Sequence, residues 1–294
     1  MRSVELLFSC ILVTSSAALC QSVPAAIFTD PPSDPAHPAS MSVLHIPSHG
    51  VLINGVLYAP SGAGPHATLV ICHGLPGNEK NLDLAQAVRR AGWNAVTFNY
   101  RGSWGSPGQF RFVQNIEDAR AVLAFLRDPA NAARLGIDPH RIAIAGHSMG
   151  GWVTANVAAH DSALLGAILI SAADMSAEAE GRPRDRVVAS MADDMESLAG
   201  VTAESMADDI VAHGKGYEFA TTADGLARLP VLVLTSNDGL APSADALVKA
   251  IQVKSSKNVT VIHADTDHAW SDHRIFLEIQ VINWLATLHD TDSR

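Results

Sequence analysis

Short apolar runs alternate with amphipathic segments along most of the chain. Six runs have the length and continuous apolar character of strands buried on both faces. They lie at residues 67–74, 94–102, 141–148, 166–173, 230–238 and 258–264. Two further strands are predicted at residues 41–47 and 50–60. Helical spacing of apolar positions occurs between the runs, at residues 81–92, 115–129, 150–161, 242–252 and 271–290.

This alternation predicts an α/β protein with a mostly parallel, doubly wound sheet, because helical crossovers cover both faces of such a sheet. Folds of this kind place their chemistry beyond the carboxyl ends of the strands. About residues 176–228 interrupt the alternation, and we interpret them as an inserted helical cap. Met191 and Met195 could line an apolar pocket under the cap, although ordinary packing of a helix face gives the same pattern.

The composition is that of a globular protein with a large core, since 48% of the 294 residues are hydrophobic and 17% are charged. One domain over residues 41–294, with the cap included, accounts for this length. The net charge of −10 and the lack of a basic stripe disfavour nucleic acid as a partner. A small molecule is the expected ligand, and the oligomeric state stays open.

The first residues predict a signal peptide over residues 1–20. An apolar run from Leu6 to Cys20 follows the single Arg2, and small residues gather at its end. The run is shorter than the roughly 20 residues of a membrane span, so we expect no stable membrane association and a secreted or periplasmic protein. The Pro-rich residues 21–40 are interpreted as a linker. Cleavage leaves Cys72 as a lone cysteine, expected in the core.

The clearest candidate for chemistry is the G-x-S-x-G motif from Gly146 to Gly150, where a buried strand passes into a helix. A nucleophile elbow has this context, because its turn is sharp and its glycines remove side chains that would clash with the strand and the helix. Ser148 is the predicted nucleophile.

A serine hydroxyl needs a base to take its proton and a carboxylate to orient that base. Asp238 directly follows the next-to-last strand and is the preferred acid. Asp174, which follows the preceding strand, is the competing one. A role as a turn or cap residue before the next helix is the alternative for Asp238.

Three histidines after the last strand compete for the role of base. His268 is preferred because it lies in a loop from which it can reach Ser148. His263 falls within the strand pattern and is expected to be a hydrogen-bonded strand residue, while His273 falls within the predicted last helix.

The same segment also resembles a metal site. His263, Asp265, Asp267 and His268 form the pattern H-x-D-x-D-H, and imidazole with carboxylate is a usual ligand set for zinc or iron in hydrolases. Such a site needs further converging ligands, and an elbow with its acid and base gives a metal no role. We therefore expect no metal and no cofactor.

Two backbone amides are predicted to stabilise the negative charge that develops on a substrate carbonyl. The elbow supplies the amide of Met149, and the loop after the first buried strand supplies that of Leu75. His73, in the same loop, is expected to be structural. His147 could equally pack into neighbouring structure or touch the substrate.

Together these segments resemble the α/β-hydrolase family, and most closely its dienelactone-hydrolase-like and prolyl-oligopeptidase-like esterases. The resemblance covers about residues 41–289 and depends on the motifs HGLPGN, NYRGSWGSPG, GHSMGG, DGLAP and TDHAW. It implies the triad Ser148, Asp238 and His268, which the residues themselves also indicate. Tyr100 and Arg101, in the second motif, are expected to be structural.

The expected function is therefore hydrolysis of carboxylic esters by a serine hydrolase through an acyl-enzyme. A peptidase or amidase with the same triad is the first alternative, because the acidic cap could face a substrate amine. A non-catalytic binding protein of the same fold is the second, and the intact triad disfavours it.

Overall fold

The computed structural model describes residues 23–255 and 257–289, and the predicted signal peptide lies outside them. Eight strands form one sheet in the order β1-β2-β4-β3-β5-β6-β7-β8. β1 and β2 are antiparallel to each other, β2 is antiparallel to β4, and the other neighbours are parallel. The strands are β1 (Ser40–Ser48), β2 (Val51–Ala59), β3 (His66–Cys72), β4 (Asn94–Phe98), β5 (Ile137–His147), β6 (Ala167–Ile170), β7 (Val231–Thr235) and β8 (Val259–His263).

All eight predicted strands are present, and the predicted α/β sheet is confirmed. One detail is wrong, because β8 was expected to be buried on both faces. Within the described residues it pairs only with β7, and all five of its residues are partly or fully exposed. An edge strand has one neighbour, so its side chains keep more contact with solvent.

Helices cover both faces of the sheet. They are α1 (Leu82–Arg90), α2 (Phe112–Arg127), α3 (Pro129–Leu135), α4 (Met149–Ala158), α5 (Met175–Ala179), α6 (Arg184–Ala192), α7 (Ala203–His213), α8 (Phe219–Leu226), α9 (Ala241–Lys254) and α10 (Arg274–His289). The side chains of β5 point alternately into two hydrophobic cores on opposite faces of the sheet. Ile142 and Ile144 pack with α2 and α4, and Ala143 and Ala145 pack with α1 and α10.

The predicted cap region contains four helices between β6 and β7. α6 packs against α7, and α5 also contacts α7. α8 instead packs against α4 and α9, so it belongs to the layer that covers the sheet.

The Pro-rich lead packs against the domain over part of its length. A 3-10 helix at Ala25–Ile27 buries Ala26 against Ala87 and Ile282, which lie on α1 and α10. The Arg90 side chain donates a hydrogen bond to the Ala26 carbonyl. Among the described helices, none has the length and apolar composition needed to span a membrane.

Candidate active site

Ser148 lies at a sharp turn between β5 and α4, with φ 56° and ψ −124°. A positive φ is unfavourable for a residue with a side chain, so the surrounding structure must hold this conformation. The flanking glycines explain how the turn fits. A Cβ on Gly146 would lie 1.9 Å from the Gly150 carbonyl oxygen, and one on Gly150 would lie 2.1 Å from that of Cys72. The turn therefore has the backbone of a nucleophile elbow.

His268 and Asp238 form a hydrogen-bonded pair at the same edge of the sheet. His268 Nδ1 lies 2.8 Å from Asp238 Oδ2, and the Asp238 side chain is 3% exposed. The other carboxylate oxygen accepts a hydrogen bond of 2.9 Å from the Leu240 amide. Burial acts to raise the pKa of Asp238, but hydrogen bonds from His268, Leu240 and Ser236 outweigh it and lower the pKa to about 2. Asp238 is therefore ionised near neutral pH.

This pairing directs His268 Nδ1 towards the carboxylate and leaves Nε2 for other partners. Within the described residues, no hydrogen bond joins the Ser148 hydroxyl to His268. The two residues are linked indirectly, because His147 contacts His268 and precedes Ser148 in the chain.

His147 is buried beneath His268, and the two ring centroids lie 4.6 Å apart. His147 Nε2 lies 2.8 Å from the His268 carbonyl oxygen, and a carbonyl only accepts, so Nε2 carries the proton. Burial and then the neighbouring His268 lower the pKa of His147 to about 4, which keeps the ring neutral. Of the two roles expected for His147, the geometry matches packing against neighbouring structure.

The loop after β3 lies tightly against the nucleophile. A Cβ on Gly74 would lie 3.0 Å from Ser148 Cβ and 3.5 Å from Ser148 Oγ. In the part of the chain that the structure describes, the amides of Leu75 and Met149 donate no hydrogen bond. Met149 is the first residue of α4, where a helix has no internal acceptor for its amide. Both amides are therefore unpaired donors on elements next to Ser148.

Side chains from the loop after β4 hold the loop after β3 in place. Trp104 Nε1 donates a hydrogen bond of 2.7 Å to the Pro76 carbonyl, and the Tyr100 hydroxyl donates one of 3.2 Å to the His73 carbonyl. His73 Nδ1 donates to the Gly74 carbonyl at 2.8 Å. His73 and Tyr100 thus have the structural roles expected of them, whereas the sequence analysis missed Trp104.

Asp174, the competing acid, is occupied elsewhere. Its carboxylate accepts hydrogen bonds from the amides of Ala177 at 3.2 Å and Phe219 at 2.8 Å, and it caps α5. Burial raises its pKa. Asp174 therefore ties the beginning of α5 to the beginning of α8.

The remaining histidines and aspartates of the last loop point to different partners. His263 bonds to Thr235 and Asn237, as expected for a hydrogen-bonded strand residue. His273 precedes α10 instead of lying within it as predicted, and it pairs with Asp272.

The residues of the H-x-D-x-D-H pattern do not converge on a common point. Asp265 bonds to Asn237, and Asp267 accepts from the Ser271 amide. Across the described residues, no three His, Cys, Asp or Glu side chains are arranged to hold a metal ion.

A cavity of about 170 Å³ lies beside the candidate site and below α5 and α6. Its walls include Leu75, Met191, Asp194 and Leu240. Leu75 carries one of the unpaired amides, and the Leu240 amide bonds to Asp238. Met191 thus lines a pocket as the sequence suggested, whereas Met195 packs against the core outside this cavity.

The family follows from the sequence profile that the chain matches. A profile described as alpha/beta hydrolase fold matches residues 67–272, which is more than half of the chain. The chain belongs to the α/β-hydrolase fold family. A solved structure of Est1E from Butyrivibrio proteoclasticus with ferulic acid bound has the same fold, with a TM-score of 0.67 and 17% identity, and the match covers 84% of this chain and 99% of that one.

Curated relatives of this α/β-hydrolase match only part of it. The uncharacterized protein Rv2307c of Mycobacterium tuberculosis is 29% identical over 122 residues, covering 41% of this chain and 42% of the relative. The quorum-quenching protein AidA of Acinetobacter baumannii is 32% identical over 127 residues, covering 41% of this chain and 40% of the relative. The chain thus matches about two-fifths of the length of each relative.

Proposed function

We propose that the protein is a serine hydrolase that cleaves carboxylic esters through an acyl-enzyme. The observation that carries this proposal is the hydrogen bond between His268 and Asp238, formed at the sheet edge where Ser148 occupies a nucleophile elbow. Membership in the α/β-hydrolase fold family supports it.

In the proposed reaction, Ser148 Oγ attacks the ester carbonyl carbon and transfers its proton to His268 Nε2. Asp238 stabilises the imidazolium that forms, and its bond to Nδ1 fixes the tautomer. The amides of Leu75 and Met149 donate to the oxyanion, each contributing about 3 kcal/mol in the transition state. His268 then protonates the leaving alcohol.

The second half of the reaction repeats these roles with water. His268 takes a proton from water, which attacks the acyl-enzyme, and Ser148 recovers its proton as the acid leaves. The hydrogen bond from Ser148 to His268 Nε2 forms when substrate binds, as catalytic hydrogen bonds often tighten in the Michaelis complex. No step uses a metal or a cofactor.

The cavity beside the site favours a small acyl or alcohol group. A peptidase or amidase acting on amino-terminal residues is the second candidate, and Asp194 favours it because a carboxylate in the cavity wall could pair with a substrate amine. Burial and the nearby Glu196 and Asp193 raise the pKa of Asp194. Comparing p-nitrophenyl esters with aminoacyl p-nitroanilides separates the two candidates.

The test of the proposed function is ester hydrolysis by Ser148→Ala. We expect the wild type to hydrolyse p-nitrophenyl butyrate. In the variant, the rate of hydrolysis should fall by about a thousandfold or more. Ser162→Ala, at an exposed position, is the matched control and should keep full activity. Unchanged activity in Ser148→Ala would reject the mechanism.

We also propose that the protein is exported, acts on a small molecule and binds no nucleic acid. The signal peptide predicted in residues 1–20 supports export, and the net charge of −10 disfavours nucleic acid as a partner. The mass of the protein recovered from the culture medium or periplasm tests export, because cleavage after residue 20 predicts a mature chain that begins at Gln21.

A further inference from the structure

A second cavity, of about 250 Å³, lies between β2, β4 and the beginning of α1. Its walls are mainly apolar and include Val43, Val56, Ile71, Leu82 and Phe98. Val43 and Leu82 are 65% and 45% exposed, which leaves apolar side chains open to solvent at this site. None of its lining residues belongs to the cavity beside Ser148. The two cavities are therefore separate.

Lys80 places a cation in the wall of this second cavity. Its Nζ donates a hydrogen bond of 3.0 Å to Asn99 Oδ1 and lies 4.0 Å from the centroid of the Trp104 ring. No carboxylate within residues 23–255 and 257–289 forms an ion pair with it. An ammonium group has three donors, so Asn99 leaves others unused. A ligand carboxylate would complete the coordination of this half-buried cation.

His73 adds a buried acceptor to the same wall. Its Nδ1 donates to the Gly74 carbonyl, so Nε2 of the neutral ring bears the lone pair. Burial lowers the pKa of His73 to about 4, and the ring stays neutral at physiological pH. His73 Nε2 is buried and has no hydrogen-bond partner in the part of the chain described. A buried acceptor without a partner is unfavourable, and a ligand hydroxyl would satisfy it.

We propose that this cavity binds a small apolar carboxylic acid that carries a hydroxyl group. The carboxylate pairs with Lys80, the hydroxyl donates to His73 Nε2, and the hydrocarbon chain lies along the apolar wall. Pockets for drug-sized ligands have volumes of roughly 300–1,000 Å³, so a cavity of about 250 Å³ suits a short chain. This inference concerns a cavity other than the one beside Ser148 and does not depend on the proposed reaction.

Calorimetric titration of the full chain with β-hydroxyhexanoate, hexanoate and hexanamide tests the proposal. We expect the hydroxy acid to bind most tightly and the neutral amide most weakly. Lys80→Met should weaken binding of the hydroxy acid by about tenfold or more, the effect of losing a charge-assisted hydrogen bond. Lys249→Met, at an exposed position on α9, should bind as the wild type does. Equal affinity for the acid and the amide, or an unchanged Kd in Lys80→Met, would overturn the proposal.

Two further measurements guard against misfolding and against binding elsewhere. Val43→Glu places a negative charge beside the cavity and should weaken carboxylate binding, while Val253→Glu, at a residue that is 88% exposed on α9, should not. Crystals soaked in bromohexanoate should show anomalous density for bromine beside Ile71 and Leu82. Bromine found only beside Ser148 would contradict the assignment.

Discussion

His147 Nε2 donates a hydrogen bond of 2.8 Å to the main-chain carbonyl of His268. The residue before the candidate nucleophile thus holds the loop that carries the candidate base, although 121 positions separate the two in the chain. The side chain of His268 is free of this bond and keeps its own bond to Asp238. His147 is therefore a positioning residue in the proposed mechanism.

His147→Phe should lower kcat for p-nitrophenyl butyrate by about fivefold and leave KM nearly unchanged. The phenyl ring fills the same space but loses one neutral hydrogen bond, which contributes about 1 kcal/mol. Steady-state kinetics give the kcat and KM values separately. His160→Phe, whose ring bonds to the nearby Asn156 carbonyl, is the control and should leave kcat unchanged. A raised KM with unchanged kcat would instead indicate contact between His147 and the substrate.

Asp238→Asn should lower kcat by about a thousandfold to ten-thousandfold, because an amide favours the wrong tautomer of His268. Asp174→Asn should retain kcat to within a few-fold and lose about 1 kcal/mol of stability, because its single side-chain oxygen cannot accept both of the backbone hydrogen bonds from Ala177 and Phe219. Kinetics and urea unfolding of both variants check this pair. The opposite result would identify Asp174 as the acid.

Much of the fold could be predicted because its strands are continuous apolar runs and its turns have distinctive glycines. The elbow at Ser148 is a local pattern, and the loop positions of Asp238 and His268 follow from the order of the strands. α3 was missed because its seven residues follow α2 almost directly. Pro129, at the beginning of α3, indicated that the helical segment ends there. The cap of Asp128 on the amides of Ala130 and Asn131 starts the new helix.

The contacts that hold the loop after β3 in place could not be predicted, because they join residues that are far apart in the chain. Trp104 reaches Pro76 across 28 positions, and nothing in its local pattern indicates that bond. The lining of the cavity beside Ser148 could not be predicted either. Met191 and Met195 occupy similar positions in the sequence pattern, and only the packing of the folded chain shows that Met191 lines the cavity and Met195 does not.

Acidification should destabilise the protein as the pH falls from 6.5 towards about 4. Both His73 and His147 have a folded pKa of about 4, compared with 6.5 in the unfolded chain, because burial disfavours the charged ring. The unfolded chain therefore takes up protons first, and each histidine reduces stability by about 1.4 kcal/mol per pH unit within this window. Urea unfolding across the window should show this slope.

His147→Phe provides the matched control for that slope. Removing one of the two buried imidazoles should reduce the slope by about 1.4 kcal/mol per pH unit, which corresponds to the uptake of one proton fewer on unfolding. The depressed pKa of Asp238 reduces stability mainly below 3.8, so it adds to the slope only at the lower end of this range and does so in both proteins. A slope that is identical in the wild type and in His147→Phe would contradict the assigned protonation of His147.

If Ser148 hydrolyses esters as proposed, Met191→Ala should shift the preference of the protein towards longer acyl chains, because the smaller side chain enlarges the cavity beside Leu75. We expect kcat/KM for p-nitrophenyl octanoate to rise relative to the acetate. Met195→Ala removes the same side chain outside the cavity and should leave the ratio unchanged. Identical ratios in the two variants would show that the acyl chain binds elsewhere.

Labelling by a fluorophosphonate, followed by peptide mapping, shows whether Ser148 is the activated nucleophile. Such probes phosphonylate a serine only when a neighbouring base activates it and an oxyanion site accepts the new oxygen. We expect one modified residue, Ser148, with labelling abolished in His268→Ala. Absence of label on Ser148, or equal labelling in His268→Ala, would contradict it.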